Sequence, residues 1–92
     1  MLVLSFLNDY SMDFMFENAS SFKGDVSQWN TGSVTSMVWM FGGASSFNGD
    51  VSQWNTGSVT RMESMFENAS SFNGNMSGWN MTALVHDRAR IY

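Results

Sequence analysis

Apolar residues recur along this chain at two different spacings, and the alternation between the two is itself periodic. Met37, Met40, Phe41 and Ala44 stand at i, i+3, i+4 and i+7, the single-face pattern of a short helix. Met12, Met15, Phe16 and Ala19 repeat it, as do Met62, Met65, Phe66 and Ala69. Thr60 with Glu63 three residues later reads as a capping box at one helix start. Asn48-Gly49 and Asn73-Gly74 predict tight turns, because glycine and asparagine accept positive φ at little cost. Val51, Trp54, Thr56 and Val59 then fall at i, i+3, i+5 and i+8. That spacing suits a loop residue leading into a very short strand, with Trp54 and Thr56 inward and Asn55 outward.

Whole segments repeat as well. Setting 16–40 over 41–65 leaves 19 of 25 positions identical. A third copy from Phe66 keeps 10 of its first 15 positions against the second, through Asn80. Beyond that point identity fades, although Leu84 still holds the apolar place of Val34 and Val59. The repeat units are thus 16–40, 41–65 and 66–90, the last degenerate, inside a tandem array over 12–80. Residues 1–11 read as an incomplete first coil or N-terminal cap. Residues 81–92 read as a C-terminal capping helix, with Asp87, Arg88 and Arg90 in the positions of Met62, Glu63 and Met65.

One copy cannot bury its aromatic residues alone, and stacking supplies the missing surface. Each copy is therefore read as one strand-turn-helix coil of a β/α solenoid, with strands about 4.8 Å apart. Trp29 would lie on Trp54 and Trp54 on Trp79, and likewise Phe22, Phe47 and Phe72. Trp54, with a like neighbour on each side, is expected to be the most buried tryptophan. Trp39 takes a place held by Phe14 and Ser64 in the other copies, so it is expected near a boundary.

Composition narrows the function classes. Nine Met, eight Phe and four Trp supply most of the hydrophobic share, and charged residues are only 13%. The net charge is −4, and Lys23, Arg61, Arg88 and Arg90 form no cluster, which argues against nucleic acid as a partner. There is no cysteine for a disulfide or a thiolate site. The apolar opening 1–7 is too short to span a bilayer and carries no basic flank or cleavage site. It reads as part of a first coil rather than as a signal peptide. With Leu2, Leu4, Phe6 and Leu7 and no charge, it is expected to drive self-association through the N-terminal end.

The elements Met-Phe, Ala-Ser-Ser-Phe-Asn-Gly-Asp-Val-Ser-Gln-Trp-Asn-Thr-Gly-Ser-Val-Thr over 12–80 resemble the 25-residue repeat of BspA-like surface proteins. They are also similar to the repeat of mycoplasma-type surface lipoproteins. The resemblance implies a solenoid related to leucine-rich repeats, displayed at a cell surface, with adhesion to host or matrix proteins in some relatives. It supplies no catalytic residue, and no export signal is recognisable here. The expected fold class is an α/β repeat: a short right-handed β/α solenoid, leucine-rich-repeat-like, with one short parallel strand and one short helix per coil.

Two columns are candidate sites. Asp25 and Asp50, continued by Asn75, could form a weak calcium site, or each could accept the N–H groups of its own turn. Gln28, Asn30, Gln53, Asn55 and Asn80 flank the tryptophans on the outward side. They could form a polar surface for a protein or glycan ligand, or an asparagine ladder that satisfies the backbone. The aromatic and methionine residues keep strict repeat spacing and read as core, not as a sugar platform or cofactor box. Asn18, Asn68, Asn75 and Asn80 fit the glycosylation pattern, and a sequence so rich in Asn and Ser generates such matches by chance. His86, the only histidine, has no second ligand or nucleophile spaced around it and reads as a solvated cap residue. The expectation is a non-enzymatic interaction or display module without cofactor. The alternative is a structural spacer or fragment of a longer array.

Overall fold

The computed structural model describes residues 10–85 and 91–92. The apolar opening 1–7, His86 and the cap charges Asp87, Arg88 and Arg90 lie outside the described residues. Equivalent residues of successive repeats lie directly over one another. Ser11 pairs with Ser36 and Ser36 with Arg61 in isolated parallel bridges. The Thr35 N–H donates to the Tyr10 carbonyl (2.7 Å), Thr60 to Thr35 (2.8 Å) and Val85 to Thr60 (2.9 Å), one repeat apart each time.

The spacing over 37–44 predicts a helix, and the described residues there form successive turns instead. The reason is visible in where the amides go. Met37, Trp39, Phe41 and Gly43 donate forward to the carbonyls of Arg61, Glu63, Met65 and Glu67, at 2.7–3.0 Å. Met40, Gly42 and Ala44 donate three residues back, to Met37, Trp39 and Phe41. The Val38 N–H donates to the Asp13 carboxylate (2.8 Å). Every N–H from 37 to 44 is thereby satisfied, which a buried backbone requires. A helix would spend all of them on itself and leave nothing to join neighbouring repeats. The alternating path needs left-handed residues at Phe14, Asn18, Trp39, Gly43, Ser64 and Asn68, with φ between 56° and 75°. Each side chain there costs about 1–2 kcal/mol against a right-handed residue, and the bonds between repeats offset this. The capping box dissolves for the same reason: the Thr60 hydroxyl donates to the Thr35 carbonyl (3.1 Å), and Glu63 pairs with Arg61 (3.1 Å).

Two further expectations are corrected. Gly49 and Gly74 are not turn residues, and Gly43 is the positive-φ glycine. A Cβ on Gly49 would stand 2.7 Å from Phe47 Cε1, so glycine there makes room for a ring folded back over the chain. Gly24 and Gly74 do the same for Phe22 and Phe72. At the C-terminal end, Ile91 and not Arg90 takes the place of Met65. The Phe16 and Phe41 amides donate to carbonyls 24 residues on, Met40 and Met65, whereas Phe66 donates to Ile91, 25 residues on. Ile91, 3% exposed, thereby brings an apolar side chain to the core.

The expected strand at each tryptophan is likewise not found among the described residues; that segment is irregular. Its side chains nevertheless point as the alternation predicts. Trp54 is 4% exposed and Thr56 buried, while Asn55 faces outward. Trp79 is 7% exposed, and Trp29 and Trp39 are half-buried. The core is built of ring columns whose spacing widens steadily across the repeat. Centroids are 5.3 and 5.5 Å apart along Phe16, Phe41 and Phe66. They are 5.7 and 6.0 Å apart along Phe22, Phe47 and Phe72. Along Trp29, Trp54 and Trp79 they reach 6.4 and 6.3 Å. Equivalent rings stay nearly parallel, so successive repeats fan apart from a tight seam at 10–18, 35–43 and 60–67.

On the wide side no backbone-to-backbone bond joins neighbouring repeats among the described residues. Side chains bridge instead. The Thr31 hydroxyl donates to the Asn55 carbonyl and the Thr56 hydroxyl to Asn80, both at 3.1 Å. The Trp54 and Trp79 indoles donate to the carbonyls of Val26 (2.9 Å) and Val51 (2.8 Å). No buried side-chain nitrogen or oxygen among the described residues lacks a partner.

Candidate binding surface

The polar column emerges from the same bridging. The carbonyls of Asn55 and Asn80 are tied to Thr31 and Thr56, which turns both asparagine side chains outward. All five candidates, Gln28, Asn30, Gln53, Asn55 and Asn80, are exposed. Asn30 accepts the Gly32 N–H (3.1 Å), Asn55 the Gly57 N–H (3.0 Å) and Asn80 the Thr82 N–H (3.0 Å). The side-chain oxygens are thus spent on local turns. The amide nitrogens of Asn55 and Asn80 lie against Gly32 and Gly57 of the preceding repeat, where a Cβ would meet them at 3.5 Å. Gln28 and Gln53 make no hydrogen bond among the described residues, so their amides are the available polar groups of the column.

Asp25 and Asp50 stand one repeat apart on the exposed surface. Asp25 accepts the Ser27 N–H (2.9 Å), and Asp50 accepts both the N–H (2.9 Å) and the hydroxyl (2.7 Å) of Ser52. Asn75 continues the pattern with the Ser77 N–H (2.9 Å). The serine hydroxyl, and after it the serine N–H, holds each carboxyl below its ordinary range. Slight desolvation and then the Asp25 charge push Asp50 weakly the other way. Among the described residues no group of three or more His, Cys, Asp or Glu could hold a metal ion.

Of the glycosylation matches, Asn18 and Asn68 are exposed and left-handed, while Asn75 and Asn80 spend their side-chain oxygens on turns. No helix among the described residues is long and apolar enough to cross a membrane.

One arrangement escaped the reading of the sequence. The Trp39 ring lies over Gly42, where any Cβ would collide with it. The equivalent pairs are Phe14 with Glu17 and Ser64 with Glu67. The signal was present: Gly42 is the one place in that column without a carboxylate, and it accompanies the one tryptophan.

No curated protein and no solved structure matches this chain significantly. Residues 7–91 match the family described as "Mycoplasma protein of unknown function, DUF285". That span takes in all the repeats and both columns, and the chain belongs to this family.

Proposed function

We propose that this chain is a non-enzymatic interaction module, a short right-handed solenoid of 25-residue coils related to BspA-like and leucine-rich repeats. In this reading the column Gln28, Asn30, Gln53, Asn55 and Asn80 contacts a protein or glycan ligand, in keeping with display at a cell surface. The observation that carries it is the pair Gln28 and Gln53. They are exposed, in register, and make no hydrogen bond among the described residues. The stacking of equivalent rings and the bonds between residues 24–28 apart support the solenoid class.

Turns in place of the expected helix and strand suit a coil whose amides reach its neighbours. The resemblance of the repeat supports the leucine-rich-repeat relation and the surface setting. A second reading, a spacer without its own ligand, is favoured by the asparagines, whose side-chain oxygens are used up locally. A glycan array and a matrix-protein panel separate the two. The module reading expects a ligand whose binding falls at least about tenfold in Gln53→Ala with unchanged melting, a loss of about 1.4 kcal/mol. A spacer binds nothing on either panel.

A further inference from the structure

We propose a second site on the seam: the Trp39 ring, flanked by Glu17 and Glu67, docks an arginine side chain of a basic protein segment. The turn closed by the Gly42 N–H on the Trp39 carbonyl (3.1 Å) brings position 39 beside position 42. The same turn recurs one layer away on each side, Glu17 on Phe14 (3.1 Å) and Glu67 on Ser64 (3.1 Å). Backbone bonds from Asn18 to Gly42 and from Gly43 to Glu67, both 2.7 Å, hold the three layers in register. The row therefore runs Glu17, Gly42, Glu67, and the indole occupies the middle place.

Glu17 is exposed and Glu67 half-buried, and neither carboxylate has a partner among the described residues. Phe14, 51% exposed, extends the aromatic surface in the layer below. An indole face attracts cations, and a planar guanidinium both stacks on it and pairs with a carboxylate. Glu17 and Glu67 belong to the layers on either side of the ring, so a segment with alternating arginines engages ring and charge together. The chain's net charge of −4 favours such a partner over an acidic one. This site is separate from the glutamine column, and either can fail alone.

The test titrates the full chain with an acetylated, amidated (Gly-Arg)3 peptide while following the indole N–H resonances. The Trp39 resonance, assigned by its loss in Trp39→Ser, should shift saturably, and a (Gly-Gln)3 peptide should leave it in place. Read by calorimetry, since the variant lacks the reporting indole, Trp39→Ser should weaken binding about fivefold or more, as loss of a cation–π contact does. Glu17→Gln and Glu67→Gln should each weaken it about threefold and flatten its salt dependence. Glu17→Gln, at an exposed position, keeps the test valid should Trp39→Ser unfold. Asp25→Asn and Asp50→Asn should change nothing. Binding that ignores Trp39→Ser and Glu17→Gln, or that falls equally with Asp25→Asn, would overturn the assignment. So would a Trp39 shift produced by chitotriose and not by the arginine peptide.

Discussion

The seam and the wide side of each repeat solve one problem in two ways. Both must join repeats without leaving buried amides or carbonyls unpaired. On the seam, alternate backbone amides reach the next repeat directly, and left-handed residues such as Trp39 and Ser64 make that path. On the wide side the rings of Trp29, Trp54 and Trp79 stand more than 6 Å apart, and the Thr31 and Thr56 hydroxyls and the Trp54 and Trp79 indoles close the gap. Between the first two repeats, sequence identity is correspondingly strict on the wide side and loose on the seam. From Ala19 to Thr35 against Ala44 to Thr60 the only change is Lys23 to Asn48, whereas five of the eight other positions of the repeat, 16–18 and 36–40, differ, among them Ser36 against Arg61 and Val38 against Glu63. A backbone bond tolerates almost any side chain, and a side-chain bridge tolerates one.

The largest expected effect is therefore on the wide side. Trp54→Ala removes a ring stacked on both sides and the donor to Val26, and should cost about 3–5 kcal/mol. That is most of the stability of a domain this small. Trp39→Ala, on the seam surface, should cost far less, and urea melts of the two variants check the order. Glycines give the next contrast. Gly49→Ala drives a Cβ into Phe47, which lies between Phe22 and Phe72 and cannot move aside, so overpacking should cost about 1–3 kcal/mol. Gly42→Ala meets only the half-buried Trp39 ring, which can swing into solvent. Thermal melts should rank Gly49→Ala well below Gly42→Ala.

The sequence made the columns legible and hid the backbone. Identical spacing of Trp29, Trp54 and Trp79 could only mean that like residues meet. The pattern Met37, Met40, Phe41, Ala44, however, fits consecutive three-residue turns as well as a helix, because both bring i, i+3 and i+4 to one side. The choice lies in whether the amide of Trp39 finds Thr35 or Glu63, and Glu63 belongs to the next repeat. Gly49 misled in the same way: Asn-Gly signals a turn locally, while its purpose is the ring of Phe47. The candidate surface was legible as a register of polar residues. Which of them are free was not, since only the turn geometry divides Asn55 from Gln53.

A hydroxyl swap tests the bridging itself. Thr56 both donates to the Asn80 carbonyl and accepts the Asn80 N–H, so Thr56→Val strands two polar groups and should cost about 1–3 kcal/mol. At Thr60 the N–H already joins the repeats, and Thr60→Val should cost about 1 kcal/mol or less. The smallest effect concerns acid. Asp25 and Asp50 are held below their ordinary range by Ser27 and Ser52, so their contribution is present above about pH 4, the unfolded aspartate value. It fades as pH falls through their lower folded values. Both are fully exposed, so melts from pH 5 to pH 2 should show only a shallow part of the acid loss removed in Asp25→Asn with Asp50→Asn.

Scalar couplings across hydrogen bonds, read by NMR from amide nitrogen to carbonyl carbon, address the central claim most directly. The amides of Met37, Trp39, Phe41 and Gly43 should couple to the carbonyls of Arg61, Glu63, Met65 and Glu67, while Met40, Gly42 and Ala44 couple three residues back. Couplings from the same amides to carbonyls four residues back would mean a helix at 37–44 and would contradict the seam.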